Sequence, residues 1–321
     1  MSLNHATYIN AQHLKGFIAY LARVISGATP LDFTVGFSRN KLPVGYEQEF
    51  PGYVDVRRGG GPVYVVFART LGDLFRKYWW NKKGYDENKL ALDAVSAAIE
   101  VAIDGENSTW HQELAIKACH EVMHWGFGEG RRPYTANMNW AMRQGKNLAS
   151  VLRIGRESLS GKNPNLDAFG RNPDSNPKMN AGWTKYYALA LPNHIIYDGR
   201  VGAALGFLVR RYLESLPRHE QPASVPSELR FLWADAEGGG KLHDPSSGQY
   251  EFGKLYAGPY GSKAWACVNV QANWVLSEAL DVAKAGWCSG QDGLRKLEAA
   301  LFMLGYDLSR ADERNPMVEA A

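Results

Sequence analysis

From Asp86 onward the apolar residues recur at intervals of three and four, and this period constrains the fold more than any other feature of the chain. Residues 90–103 are rich in Leu, Ala, Val and Ile and end at Gly105. Ser108 stands where it would cap a second helix, running to about Trp125, before Gly126-Phe127-Gly128-Glu129-Gly130 stops it. The same spacing predicts helices over 139–152, 268–285 and 293–303. It also predicts one over 11–26, where Leu14, Phe17, Ile18, Leu21, Val24 and Ile25 make a single face and Gly27 closes the end. Residues 28–70 break the pattern with short β-prone runs: Phe33-Thr34-Val35, Tyr53-Val54-Asp55-Val56 and Pro62 to Phe67, the last two separated by a Gly59-Gly60-Gly61 turn. The expected class is mainly α with a small antiparallel β element near the N-terminus. The expected division is a helix-plus-sheet region over 1–85 and a helical domain over 86–321, with one compact unit as the alternative.

Composition narrows the partners rather than the fold. The formal net charge is +3 and the pI about 8.6, compatible with nucleic acid. Basic pairs occur at Arg57-Arg58, Lys82-Lys83, Arg131-Arg132 and Arg210-Arg211, and solvated surface charge is the first explanation of any one of them. Ten Trp and sixteen Tyr provide large rings for a core, or a few for stacking on bases. The three cysteines, Cys119, Cys267 and Cys288, are widely spaced and form no CxxC pair, so neither a disulfide framework nor a cysteine zinc site is expected. The opening MSLNHATYINAQH has no basic segment followed by an apolar one, and no apolar run reaches the ~18 residues of a membrane span. The expectation is a cytoplasmic protein without a membrane partner or a cofactor.

The chemistry concentrates between Gly182 and Gly206. A helix opens near Trp183 and ends before Pro192, and Ile195-Ile196-Tyr197 leads to Asp198. Asp198 in turn precedes Val201, Ala204, Leu205, Leu208 and Val209, whose spacing makes a buried helix. A lysine at the start of one helix and an aspartate at the start of the next can meet in one site. An ionised carboxylate stabilises positive charge that develops on a sugar as a glycosidic bond breaks. A desolvated lysine can lose its proton and attack the anomeric carbon. Residues 159–181, with three Pro and five Asn, read as a long loop ahead of this segment.

Gly182-Trp183-Thr184-Lys185 resembles the end of the hairpin and the lysine of helix-hairpin-helix DNA glycosylases of the 8-oxoguanine type, and Ile196-Tyr197-Asp198-Gly199-Arg200-Val201 is similar to their aspartate element. The likeness covers about residues 178–212, and Asn180-Ala181 stand where the hairpin's repeated glycine pattern falls. The resemblance implies a glycosylase-like helical fold and a DNA N-glycosylase acting on a damaged or modified purine, with or without lyase activity. Lys185 would be the nucleophile and Asp198 the stabiliser of the oxocarbenium-like transition state. Lys178, Gly182, Arg200, Arg210 and Arg211 would hold DNA phosphates, and Trp140, Trp183 and Tyr186 would wall a pocket for an extruded base. A nucleic-acid-binding protein with this fold but without the chemistry is the alternative.

A zinc-dependent hydrolase is a further alternative. His120-Glu121-Val122-Met123-His124 matches H-E-x-x-H on an expected helix, where two histidines four apart share a face and the glutamate can act as base. A catalytic zinc needs a third protein ligand. Glu129, Glu157 and His194 are available, and none lies in a second motif.

Overall fold

The computed structural model describes residues 3–38, 53–55, 63–104, 108–170, 175–236, 241–256 and 261–312. Arg57-Arg58, the Gly59-Gly60-Gly61 turn, Gly105 and Gly238-Gly239-Gly240 lie outside the described residues, as do positions 171–174 of the long loop. The chain divides into two compact units. The first comprises residues 1–10, 86–198 and 255–274, and the second residues 11–85, 199–254 and 275–321. The boundary expected at 85/86 is one of the points where the chain passes between them; the others follow residues 10, 198, 254 and 274.

The first unit is helical. α1 (His5–Ile9) is a short helix capped by the Asn4 side chain. α4 (Tyr85–Asp104) and α5 (Thr109–Phe127) are long, and the Ser108 side chain accepts from the His111 N–H as the sequence suggests. The helix expected over 139–152 is two helices, α6 (Arg132–Gln144) and α7 (Leu148–Leu159). The break falls at Gly145, whose φ of 51° no other residue type adopts as readily. α6 also begins earlier than expected, with Pro133 in its first turn, where a missing N–H costs nothing. α8 (Trp183–Ala190) follows the loop. α5 packs on α6, α7 and α8 and is the element around which this unit is arranged.

The second unit contains α2 (Gln12–Ser26), ended by Gly27 at φ 80°, and a three-stranded antiparallel sheet in the order β1 (Phe33–Ser38), β3 (Val63–Ala68), β2 (Tyr53–Asp55). The pairing sets Phe33 opposite Ala68 and Tyr53 opposite Val65. α3 (Leu71–Arg76) opens on a capping box between Thr70 and Asp73. α9 (Gly199–Ser215) is buried along most of its length, and Phe33 meets its Phe207 edge-on at 5.7 Å. α11 (Gly293–Leu304) packs on α3 and α9.

α10 (Gly261–Ala283) begins seven residues before the expected start, with residues up to 274 in the first unit and the rest in the second. The early part escapes an apolar-pattern reading because its buried face carries polar residues. Ser262, Asn269 and Asn273, together with Trp265, lie three or four positions apart or at sums of those intervals. Among the described residues no helix is long and apolar enough to cross a membrane, and the three cysteines are free thiols.

Candidate active site

Asn180 starts α8. Its side-chain oxygen accepts the N–H groups of Gly182 (2.8 Å) and Trp183 (3.1 Å), and its amide donates to Asn137 Oδ1 at 2.9 Å. Two of the helix's free donors are thereby satisfied. Gly182 is required by packing, since a Cβ there would lie 2.9 Å from Met123 Sδ and 3.0 Å from the Phe127 ring. The helix start is therefore pressed directly onto α5.

Lys185 lies in the first turn of α8. Its alkyl stem runs past Gly126 of α5, where a Cβ would come within 2.7 Å of Cδ and 3.0 Å of Cε. Nζ donates to the Ala181 carbonyl at 2.7 Å, stands 5.0 Å from the centroid of the Phe127 ring, and is 4.0 Å from Asp198 Oδ2. The side chains of Lys185 and Asp198 are only 6% and 14% exposed, so the two charges interact with little water between them.

Asp198 directly precedes α9, and its position is fixed from the connection before it. The Tyr197 N–H donates to Thr184 Oγ1 at 2.8 Å, and the Ile195 N–H donates to Asn273 Oδ1 at 2.7 Å. The Asn269 amide donates to Thr184 Oγ1 (3.1 Å) and the Ile195 carbonyl (3.2 Å), and the Trp265 indole donates to the Tyr197 carbonyl at 2.8 Å. A buried irregular segment of this kind must find partners for its backbone groups. The polar face of α10 and Thr184 supply them. None of the α10 residues lay in a motif, and only buried polar positions within a helical period would have flagged them.

The remaining sequence candidates fall into three groups. Lys178 is half-buried in the first unit and has no ion-pair partner among the described residues; burial, with the charge of Arg143 second, holds its amine below the ordinary lysine value. The three arginines belong to the second unit. Arg200 lies over Phe302 (4.2 Å), Tyr306 (4.7 Å) and Trp80 (5.2 Å). Arg210 is buried and pairs with Asp312 at 2.8 Å and Glu214 at 3.3 Å. Arg211 donates to the carbonyls of Leu31 and Ala311. Arg210 and Arg211 thus satisfy acceptors inside their own unit, a role that a basic pair in sequence does not distinguish from phosphate binding.

The rings expected to wall a base pocket are fully buried and packed on one another. Trp140 meets Trp183 at 4.6 Å, and Trp183 meets Tyr186 at 5.8 Å. On α8 the helical period puts Trp183, Tyr186 and Tyr187 on one face and Lys185 on the other. The ring beside the Lys185 amine is instead the half-buried Phe127, which the sequence presents only as part of a glycine-flanked helix end.

In the H-E-x-x-H segment the rings of His120 and His124 are parallel (4°) with centroids 5.9 Å apart. Glu121 turns toward Lys117. Among the described residues no group of three His, Cys, Asp or Glu is assembled to hold a metal ion. No family model, curated protein or solved structure matches this chain.

Proposed function

We propose that the protein is a DNA N-glycosylase, with lyase chemistry, that acts on a damaged or modified purine base. The observation that carries the reading is the meeting of Lys185 Nζ and Asp198 Oδ2 at 4.0 Å within one unit, at the entrances of successive helices and largely out of water. In this reading the Asp198 carboxylate faces the anomeric carbon and stabilises the positive charge that grows as the base departs. Lys185, once deprotonated, attacks that carbon. The amine bonds to carbon as the base leaves with the bonding pair and takes up a proton from the amine. The C1′–O4′ bond then opens, O4′ is protonated by solvent, and the resulting iminium permits loss of the C2′ proton and elimination of the 3′ phosphate. Phe127 supplies a ring face beside the amine, and Lys178, a half-buried cation without a counter-ion among the described residues, meets a phosphate.

The test is borohydride trapping with duplexes that carry 8-oxoguanine and other modified purines. The expected outcome is base release together with a covalent adduct that is lost in Lys185→Gln. Asp198→Asn lowers the rate of base release by roughly 100-fold or more while leaving salt-sensitive DNA binding in place. Absence of base release and of adduct across the lesion set rejects the enzymatic reading. DNA binding that persists in that case, unaltered by Asp198→Asn, identifies a non-catalytic DNA-binding protein, a reading favoured by the hold of the Ala181 carbonyl on Lys185 Nζ.

A further inference from the structure

A second group of reactive side chains gathers around His120 of α5, two turns from Phe127. His120 Nδ1 is 2.8 Å from the hydroxyl of Tyr134 on α6, and His120 Nε2 is 3.5 Å from Glu129 Oε1. The imidazole therefore lies between a phenol and a carboxylate. The arrangement is self-consistent when the ring carries its proton on Nε2, directed at Glu129, and its Nδ1 lone pair accepts the Tyr134 O–H. The order is nucleophile, base and orienting acid, the relation that activates hydroxyl nucleophiles in hydrolases of unrelated folds. A buried structural histidine would be closed off from solvent. Here the His120 and Glu129 side chains are 40% and 62% exposed.

The surroundings indicate what would react. Arg131 and Arg132, separated from Tyr134 by Pro133, are exposed and have no ion-pair partner among the described residues. The other charged or titratable groups on this part of α5 are Lys117, Glu121 and His124, the first two facing each other at 3.9 Å, and the buried Cys119. A phenol on a carboxylate-flanked imidazole, with two exposed arginines two and three residues before it in the chain, suits an anionic electrophile whose charge the arginines neutralise. His120 and Phe127 are seven positions apart on α5, so they share a face about 10 Å apart along the axis. That distance is of the order spanned by one or two nucleotides of a backbone.

We propose that Tyr134, His120 and Glu129 form a second reactive site, in which Tyr134 is a nucleophile toward phosphoryl centres, His120 its base and Glu129 the positioning residue. In the step itself the Tyr134 oxygen bonds to phosphorus while its proton passes to His120 Nδ1. The bond from phosphorus to the leaving oxygen breaks, and that oxygen takes the proton back from Nδ1. The product is a phosphotyrosyl ester, which water resolves by the reverse sequence. Nothing in this requires Lys185 or Asp198.

The probe is an alkyl fluorophosphonate, with which the same step forms the phosphorus–oxygen bond and expels fluoride. The full chain is incubated with it at neutral pH and the adduct mapped by peptide mass spectrometry across a range of probe concentrations. The expected result is an adduct on Tyr134, with the maximal labelling rate reduced on the order of 100-fold in His120→Gln and about tenfold in Glu129→Gln. The half-saturating concentration is unchanged in Glu129→Gln, and Lys185→Gln labels like the unaltered protein. No adduct on Tyr134, or an adduct that forms as fast in His120→Gln, overturns the proposal. Should His120→Gln lose its helical circular dichroism, the exposed Glu129→Gln decides, and an unchanged maximal rate there overturns the relay.

Discussion

Lys178 shows how much a single residue can hold at variance with stability. Its amine is half-buried, no anion pairs with it among the described residues, and burial followed by the charge of Arg143 lowers its affinity for a proton. The folded state then binds that proton less tightly than the unfolded chain does. Protonation therefore opposes folding at neutral pH, and the penalty fades as pH climbs from the lowered folded value to the ordinary lysine value of 10.5. Lys178→Gln is expected to raise the melting temperature at pH 7, with the gain gone once the pH exceeds about 10.5. The same substitution should make the salt dependence of DNA binding shallower by about one unit of log–log slope, for one phosphate contact fewer. Melts at the two pH values and a salt titration check both halves. The Ser108 cap, the Gly27 helix end and the placing of Lys185 and Asp198 at successive helix entrances were legible in the sequence. Trp183 and Tyr186 were not, because aromatic residues have the same one-letter signature in a core as on a binding wall, and only the helical phase relative to Lys185 separates the two.

At the level of elements, most helices follow from apolar spacing, and the failures share a cause. α6 and α7 read as one helix because the apolar period continues past Gly145, where the backbone turns at positive φ. The first turns of α10 were missed because Ser262, Asn269 and Asn273 are polar, although each is buried and hydrogen-bonded. That polar face holds the 195–197 connection and so sets the approach of Asp198 to Lys185. Asn269→Leu leaves the Ile195 carbonyl without its side-chain donor and is expected to cost about 1–3 kcal/mol, measured by denaturant unfolding. Borohydride trapping should fall as well, because the carboxylate is aimed through this strand.

Across the whole molecule, the residues of the candidate site and the arginines first matched with it sort into different units. Lys178, Lys185, Asp198 and Phe127 belong to the first, while Arg200, Arg210 and Arg211 belong to the second. This partition of a continuous stretch of sequence was not visible in the sequence, since the chain leaves the first unit directly after Asp198. Arg211→Ala removes donors to the Leu31 and Ala311 carbonyls. It is expected to destabilise the protein by about 1.5–3 kcal/mol while the salt slope of DNA binding stays where it was, the reverse of the Lys178 result. A slope that changes in Arg211→Ala would return that arginine to the DNA-contacting set.

The cysteines follow the same partition. Cys119 is sealed in the first unit and Cys288 in the second, and burial pushes both thiols up, Cys288 to about 11. Neither sulfur reacts while its surroundings stay closed, because the thiolate is the attacking form. Each half of the chain thus carries its own chemical stopwatch. Pulsed alkylation followed by peptide mapping would time the opening of one against the other in the unaltered protein, without any label having to be engineered.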